Sequence, residues 1–296
     1  MDIQKVLFVT KFEELWFDAL ESLMDLRQVS LNHVVFLNVI QREKVALHRG
    51  KGYEKKEEVR LREMANIRFI NWAENILEQG LEVGAYIVVG SLVQKVIMAV
   101  ENEDIDLVVI GNLKKGKFEQ FYAHSDIMEI IRRSGIPVLV YKYKSGPEAG
   151  AEKPFERPLL ATSFSETSNM AVTYLKKLGK VIQKVNVINV ADPKLLKESS
   201  AMAVQKTRKQ SRQKLEEICD ILISEGIDAT PSVYIGNPVQ EIENAAKEFN
   251  ATMIVAGTSA KESWRERFVG STPRKLAENS VFPTLLIPPR GKNVSS

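Results

Sequence analysis

Short apolar runs separated by longer amphipathic segments recur along the whole chain. Each run has four to seven residues, is rich in Val, Ile and Leu, and rarely alternates apolar with polar positions. Continuous apolar runs of this length are typical of strands buried on both faces of a parallel sheet. The sequence therefore predicts five strands in each half of the chain, at VLFV, HVVFLNV, AYIVV, DLVVI and PVLVY, and at PLLAT, VNVINV, PSVYI, TMIVA and PTLLI.

The segments between these runs have helical periodicity. In SRQKLEEICDILISEG the apolar residues recur at intervals of three and four, as they do along one face of a helix. The segment ETSNMAVTYLKKLG begins with hydroxyl caps and ends at Gly179, which predicts a helix with a glycine C-cap. For the helix that follows the mixed-charge segment 49–63, the predicted apolar side consists of Val59, Met64, Ile67 and Ile70. Strands that alternate with helices predict an α/β fold of right-handed β-α-β units, with about four helices around each sheet.

The second half of the chain repeats the first. The number of residues between matching segments is constant toward the end of each half and slightly larger toward its beginning. One repeat that is longer in the first copy explains all five matches. The matching pairs are DLVVIGN (106–112) with TMIVAGT (252–258), VVGSLVQKVI (88–97) with YIGNPVQEIE (234–243), SGIPVLVY (134–141) with SVFPTLLI (280–287), VLFVTKFEEL (6–15) with PLLATSFSET (158–167), and VVFLNV (34–39) with VNVINV (185–190).

This duplication predicts two tandem doubly wound domains, each with a five-stranded, mainly parallel sheet. The segment KSGPEAGAEKPFERP is rich in Gly, Pro, Glu and Lys and has no apolar period, which is typical of a linker. The predicted boundaries are residues 1–145 for domain 1, 146–156 for the linker and 157–291 for domain 2.

The composition narrows the choice of partners. The net charge of +3 is too small to indicate binding of nucleic acid or of an anionic membrane, so neither is expected as a partner. No apolar run is long enough to span a bilayer, and the N-terminus lacks the pattern of a signal peptide. The single cysteine, Cys219, fits a reducing cytoplasm and is predicted to be a small core residue, because it shares an apolar stripe with Leu215 and Leu222.

The segment with the most informative chemistry is GTSAKESWRERFVGST. Its first residue, Gly257, ends the fourth strand of the second copy, at the edge where parallel sheets bind ligands. We expect a glycine there to let a ligand approach the backbone. At the other end, Gly270, Ser271 and Thr272 precede a proline, which suits the first turn of a helix. Because unpaired N–H groups at a helix start bind anions, the segment predicts a polyphosphate site.

The spacing Gly-x-x-Gly, nine residues, Gly-Ser resembles the nucleotide loop of the universal stress protein family. In the second copy this loop runs from Gly257 to Ser271, with Ala260 in place of the second glycine. Upstream, GNPVQEI (236–242) resembles the family's Gly-x-Pro-x-x-x-Ile turn, and TSFSET (162–167) resembles its first strand-to-helix turn. The resemblance covers nearly the whole chain, once in each copy.

The resemblance implies a five-stranded α/β fold and dimers that pair through the last strand. Some family members bind ATP or related nucleotides, and members are linked to stress survival rather than to a defined reaction. The implied cofactor is an adenine nucleotide (ATP, ADP or AMP), with or without Mg²⁺. In this chain the last strands of the two copies are expected to pair with each other, and a homodimer is expected; the protein partner is open.

Carried over position by position, the resemblance implies a nucleotide site in the second copy. Ser163 stands where nucleotide-binding relatives have an aspartate near the adenosine, which leaves the choice of nucleotide open. The implied residues are Ala161, Thr162, Ser163, Val190, Ala256, Gly257, Thr258, Ala260, Gly270, Ser271 and Thr272.

The first copy departs further from the family pattern. Lys114 and His124 replace two glycines of its loop, so this copy is expected to bind nucleotide poorly or differently. Lys11 replaces the aspartate, either as a solvated side chain or as one that clashes with a base or contacts a phosphate. The residues of this possible weaker site are Thr10, Lys11, Val39, Gly111 and Ser125.

Three functions are compatible with the sequence. The leading hypothesis is a nucleotide-binding sensor or adaptor with its ligand in the second copy. The alternatives are a slow ATP hydrolase and a nucleotide-free assembly module. The chain has no G-x-x-x-x-G-K-[ST], G-x-G-x-x-G or G-x-S-x-G motif and no metal-ligand spacing, so we expect no catalytic residues, no metal ligands, and at most weak ATPase activity.

Overall fold

A computed structural model describes residues 3–12, 14–46, 52–112, 124–142, 153–191, 201–258 and 271–289. The chain divides into two compact units, residues 1–150 and 151–296. In the described residues of the first unit, strands and helices alternate as β1 (Lys5–Val9), α1 (Glu14–Glu21), β2 (His33–Ile40), α2 (Lys55–Glu78), β3 (Glu82–Val89), α3 (Leu92–Glu103), β4 (Leu107–Asn112), α4 (His124–Ser134) and β5 (Val138–Lys142).

The second unit repeats this alternation. Its elements in the described ranges are β6 (Pro158–Ala161), α5 (Glu166–Lys177), β7 (Lys184–Ala191), α6 (Ala201–Ile223), β8 (Asp228–Ile235), α7 (Pro238–Glu248), β9 (Met253–Gly257), α8 (Ser271–Asn279) and β10 (Thr284–Ile287).

Both units have the same sheet topology. The strand order is β3-β2-β1-β4-β5 in the first unit and β8-β7-β6-β9-β10 in the second. Every neighbouring pair within each unit is parallel. The first strand of each unit is therefore central, and the strand order reverses beside it, which creates a crevice at the carboxyl ends of the strands. The predicted fold, two doubly wound five-stranded parallel sheets with four helices each in the described residues, is confirmed.

The two units fill their cores differently. In the first unit, aromatic side chains of β1, β2 and α2 pack edge to face; the Phe36 and Trp72 ring centroids are 5.8 Å apart. In the second unit, the core between the sheet and helices α7 and α8 is built mainly from aliphatic residues. This second cluster contains Leu159, Ile188, Ile242, Ala245, Ala246, Ala251, Ile254, Leu276 and Phe282.

Helix α2 buries a different face from the one predicted. Its buried apolar residues are Ala65, Trp72, Ala73 and Ile76, whereas the four residues predicted as its apolar side are exposed, Ile67 by 63%. That prediction was wrong because α2 carries two apolar stripes at helical spacing. The sheet offers Phe8 and Phe36 to the Trp72 stripe, and burying a tryptophan removes more apolar surface from water than burying an isoleucine.

Helix α5 begins at Glu166, as predicted, but its cap is Ser165, which precedes the predicted segment, and its end also differs. The Ser165 Oγ accepts a hydrogen bond of 3.3 Å from the Ser168 N–H, which caps the helix. Gly179, however, lies in a short 3-10 turn rather than in a left-handed C-cap, and a Cβ on it would lie 3.4 Å from Ile227. The predicted glycine C-cap was therefore wrong.

Candidate functional site

In the second unit, the turn that follows the first strand is held by three hydrogen bonds. The Thr162 N–H donates to the Ile188 carbonyl at 2.9 Å, and the Asn189 amide donates to the Thr162 carbonyl at 2.8 Å. The Thr162 Oγ1 accepts from the Phe164 N–H at 3.0 Å. These bonds hold Phe164 at φ +59°, a conformation that bulky residues rarely adopt. Thr162 is buried, so its side chain stabilises the turn rather than facing outward.

The first unit contains the same turn, bond for bond. Thr10 donates to the Leu37 carbonyl at 3.0 Å, Asn38 donates to the Thr10 carbonyl at 3.0 Å, and the Phe12 N–H donates to Thr10 Oγ1 at 2.8 Å. Phe12 has φ +54°. The asparagines were not predicted as site residues, although both occupy the same position in the matched segments VVFLNV and VNVINV. Thr10, predicted for the weaker site, therefore has a structural role like that of Thr162.

A cluster of hydroxyl groups lies at Ser163, the position where the family resemblance implied an aspartate. Ser163 is exposed; its Oγ donates to Ser165 Oγ at 3.1 Å, and its N–H donates to Ser168 Oγ at 3.2 Å. The Ser165 Oγ is also within hydrogen-bond distance of the Thr167 Oγ1, at 3.2 Å. The group is electrically neutral and lies at the start of α5, where the helix macrodipole has its positive end.

Gly257 lies against the start of the same helix. A Cβ on Gly257 would be 2.6 Å from the carbonyl carbon of Thr167 and 2.7 Å from the Ser168 nitrogen. Helix α5 therefore occupies the space on this side of Gly257. The sequence analysis explained the glycine by the need for a ligand to approach the backbone. The structure shows that the close contact with α5 also requires a residue without a side chain here. A ligand contact through the Gly257 backbone stays a prediction.

The residues beside Gly257 are tightly held. Ala256 is buried between Ala161 and Leu286 in the parallel ladders. The Thr258 N–H donates to the Ile287 carbonyl at 2.8 Å, and its hydroxyl donates to the same oxygen at 3.3 Å. This backbone amide is therefore already used within the protein.

The remaining predicted residues of the second copy divide into three groups. Val190, near the end of β7, packs with Ala161 against the core cluster. Ser271, the first residue of α8, is exposed, and Thr272 is partly buried. Ala260 and Gly270 lie outside the described residues, as does the loop between them.

The weaker site predicted in the first copy borders a cleft of about 160 Å³ at the carboxyl ends of β1 and β2. Lys11 and Val39 line the cleft, whereas Gly111 is buried in β4 and Ser125 is exposed in the first turn of α4. Sequence reasoning missed Lys44 and Arg68, because no motif surrounds them. The lining residues are Lys11, Asn38, Val39, Ile40, Gln41, Lys44, Leu61, Met64, Ala65, Arg68 and Leu92.

Two titratable residues lie away from these sites. His33 begins β2, at the opposite edge of the sheet, and burial lowers the pKa of its imidazole. Cys219 is buried in α6, as predicted, and burial raises the pKa of its thiol to about 11. Among the described residues, no group of three or more His, Cys, Asp or Glu side chains could hold a metal ion. Within those same ranges, no helix is both long and apolar enough to cross a membrane.

The sequence profile of the Universal stress protein family matches residues 2–142 and, a second time, residues 154–288. The chain belongs to the universal stress protein family. It is a tandem member of this stress-response family, with one family domain in each half.

Two of the relatives have the size of one half of this chain. Universal stress protein MJ0577 of Methanocaldococcus jannaschii is 24% identical over 156 residues, which cover 48% of this chain and 96% of that protein. Universal stress protein YxiE of Bacillus subtilis is 24% identical over 146 residues, 45% of this chain and 99% of its own. A crystal structure of a universal stress protein from Archaeoglobus fulgidus covers 98% of both chains with a TM-score of 0.73 and 23% identity, so it shares the tandem fold.

Proposed function

We propose that the second domain of this universal stress protein binds an adenine nucleotide, and that the bound state is read by a partner in a stress response. The nucleotide is ATP, ADP or AMP, with or without Mg²⁺. The observation that supports this is the meeting of three strand ends, at Ser163, Val190 and Thr258, on the carboxyl edge of the sheet beside the reversal of strand order. Parallel sheets bind ligands at this place.

The chemistry of the strand ends suits the sugar end of a nucleotide. The exposed Ser163 hydroxyl, which is already bonded to Ser165, can form a hydrogen bond with a ribose hydroxyl. Without a carboxylate at this position the contact is neutral. We therefore expect a weaker contact to the ribose than a carboxylate would give, and equally so for ATP, ADP and AMP, because all three carry the same ribose.

The start of α8 suits the phosphate end. Ser271 and Thr272 open this helix, and its first turn contains no acidic residue. The N–H groups of a helix start and the positive end of the macrodipole attract anions. Gly270 precedes the helix in the sequence, and a glycine has no side chain that would keep a phosphate away from its amide.

Calorimetric titration with ATP, ADP and AMP tests the proposal. Gly270→Val should abolish the binding heat, and Ser271→Ala should weaken binding about ten- to a hundredfold through loss of one hydrogen bond to a charged phosphate. Thr173→Ala, at an exposed position of α5 outside both predicted sites, is the control and should leave binding unchanged. The absence of heat with all three nucleotides, or equal heat with Gly270→Val, would refute nucleotide binding.

Two further measurements separate the alternatives. Steady-state product release that Gly270→Val abolishes would make the protein a slow ATP hydrolase, whereas binding without turnover limits it to sensing. If the protein binds none of the nucleotides and still sediments as a homodimer, it is an assembly module. The proposed domain boundaries predict that limited proteolysis cleaves first within residues 146–156, and we propose a cytoplasmic location for the protein.

A further inference from the structure

We propose that the cleft of the first domain binds a small organic anion with an apolar body, through Lys11, Lys44 and Arg68. This site is separate from the nucleotide site proposed for the second domain. The ligand class is a phosphate monoester or carboxylate carried on a body about the size of one aromatic ring.

The position of the cleft is that of a ligand site. It lies where β1 and β2 end, and its far wall is the face of α2 that carries Leu61, Met64 and Arg68. The strand order reverses on the other side of β1, between β1 and β4, so the cleft lies next to the switch point, on the carboxyl edge of the sheet where ligands bind. A cavity of about 150 Å³ is known to hold a benzene ring, and the cleft measures about 160 Å³.

The charge of the cleft favours an anion. Three of its lining residues, Lys11, Lys44 and Arg68, carry positive charge, and the lining contains no Asp or Glu among the residues that the structure describes. They come from three separate elements: the turn after β1, the turn after β2, and α2. A concave surface lined with one sign of charge concentrates the potential and attracts ions of the opposite sign.

The second domain provides an internal comparison, because α2 and α6 occupy equivalent places. Both helices are followed by a left-handed glycine, Gly80 at φ +80° and Gly226 at φ +82°, which fixes the correspondence along them. Three apolar residues of the cleft wall on α2 then correspond to polar residues on α6. These pairs are Leu61 with Thr207, Met64 with Gln210, and Ala65 with Ser211.

The cations have also diverged between the domains. Lys11 corresponds to Ser163, so the first domain has gained a charge at this turn. Arg68 corresponds to Lys214, whose Nζ lies 5.2 Å from the centroid of the Phe164 ring and makes a cation–π contact. In the first domain the equivalent ring, that of Phe12, packs instead against Trp72, with the two ring centroids 5.2 Å apart, and Arg68 lines the cleft. The first domain thus combines an apolar wall with cations, which is the complement of an amphipathic anion.

The test titrates the full-length protein with phenyl phosphate, benzoate, benzyl alcohol and inorganic phosphate, using calorimetry and ligand-observed NMR. We expect phenyl phosphate or benzoate to bind more tightly than both the neutral alcohol and inorganic phosphate, and more weakly as salt rises. The preferred one of the two identifies the anionic group. Binding of neither at millimolar concentration would overturn the proposal.

Matched variants locate the site. Lys11→Ser and Arg68→Ala should each weaken binding of the aromatic anion by about fivefold, the loss expected for one partly solvated ion pair. Met64→Gln should weaken binding of the aromatic anion and leave binding of inorganic phosphate unchanged. The second-domain controls Gln210→Met and Lys214→Ala should have no effect.

Two outcomes would contradict the assignment of the ligand to this cleft. The first is that the wild type and the Lys11→Ser, Arg68→Ala double variant bind the aromatic anion with equal affinity. The second is that Lys214→Ala lowers this affinity as much as Arg68→Ala does. Gly270→Val, which tests the nucleotide site, should leave phenyl phosphate binding intact. Failure of one proposal is therefore distinguishable from failure of the other.

Discussion

Replacing Gly257 by alanine tests whether packing or ligand approach requires this glycine. The added Cβ would lie 2.6 Å from the carbonyl carbon and Oγ1 of Thr167 and 2.7 Å from the Ser168 nitrogen. Two of these three atoms are backbone atoms at the start of α5, so rotation of a side chain cannot relieve the overlap. Either β9 or α5 must move.

The expected loss of stability follows from these contacts. Inserting a methyl group into a packed interior costs about 1–3 kcal/mol, and we expect Gly257→Ala near the upper end because backbone atoms must shift. Gly236→Ala is the matched control, since its Cβ would meet the flexible side chain of Glu241, whose Cγ would be 2.7 Å away and one of whose carboxylate oxygens would be closer still. That side chain can rotate, and the loss of unfolded-state entropy offsets the remaining cost by about 0.4–1 kcal/mol.

Thermal unfolding of the full-length chain, followed by circular dichroism and calorimetry, measures the difference. For a domain of this size each kcal/mol lowers the midpoint by about 2–4 °C. The second-domain transition of Gly257→Ala should therefore fall several degrees below that of Gly236→Ala. Equal midpoints for the two variants, with nucleotide binding lost only in Gly257→Ala, would refute the packing explanation and restore the ligand explanation.

Three further predictions concern other residues. Thr162→Val should destabilise the second domain by about 1–3 kcal/mol, because the Phe164 N–H loses its acceptor. Thr173 is exposed, so Thr173→Val is the control. Equal denaturation midpoints for the two variants would contradict the stabilising role of the turn. The folded-state pKa of His33 lies below its usual 6.5, chiefly through burial and then through the charge of Lys5. Its contribution to stability is therefore present above pH 6.5 and is lost as pH falls from there through the folded-state pKa. The unfolding midpoint of His33→Gln should depend less on pH across that interval than the wild-type midpoint, and an unchanged pH profile would contradict this. Cys219, buried and with its thiol pKa raised to about 11, should react with a disulfide reagent only after denaturation; rapid labelling of the native protein would show that the thiol is accessible.

Most strands were predictable because they are buried on both faces; β3 and β8, which are only partly buried, are the exceptions. In a strand buried on both faces the residue types themselves carry the signal: a run such as DLVVI needs no partner to be recognised. The duplication was predictable for the same reason, since equivalent strands bury equivalent residues. It extends to the asparagines at Asn38 and Asn189, whose matching hydrogen bonds appear only in three dimensions.

Helix faces were less predictable, because a helix can present more than one apolar stripe. The stripe of α6 that contains Cys219 was predicted correctly: it is buried, whereas the neighbouring Ile221 and Ile223 are exposed. For α2, the choice between the Ile67 stripe and the Trp72 stripe depended on which aromatic rings the sheet supplied.

The sequence by itself determined the two parallel sheets, the tandem repeat and the family, because these depend on local residue type and on spacing along the chain. Only the tertiary structure decided that α5 occupies the space beside Gly257, and that Lys11, Lys44 and Arg68 surround one cleft. The physical reason is that a packing contact or a cluster of charges joins residues distant in sequence. Their proximity is set by how the helices lie on the sheet, which no local pattern records.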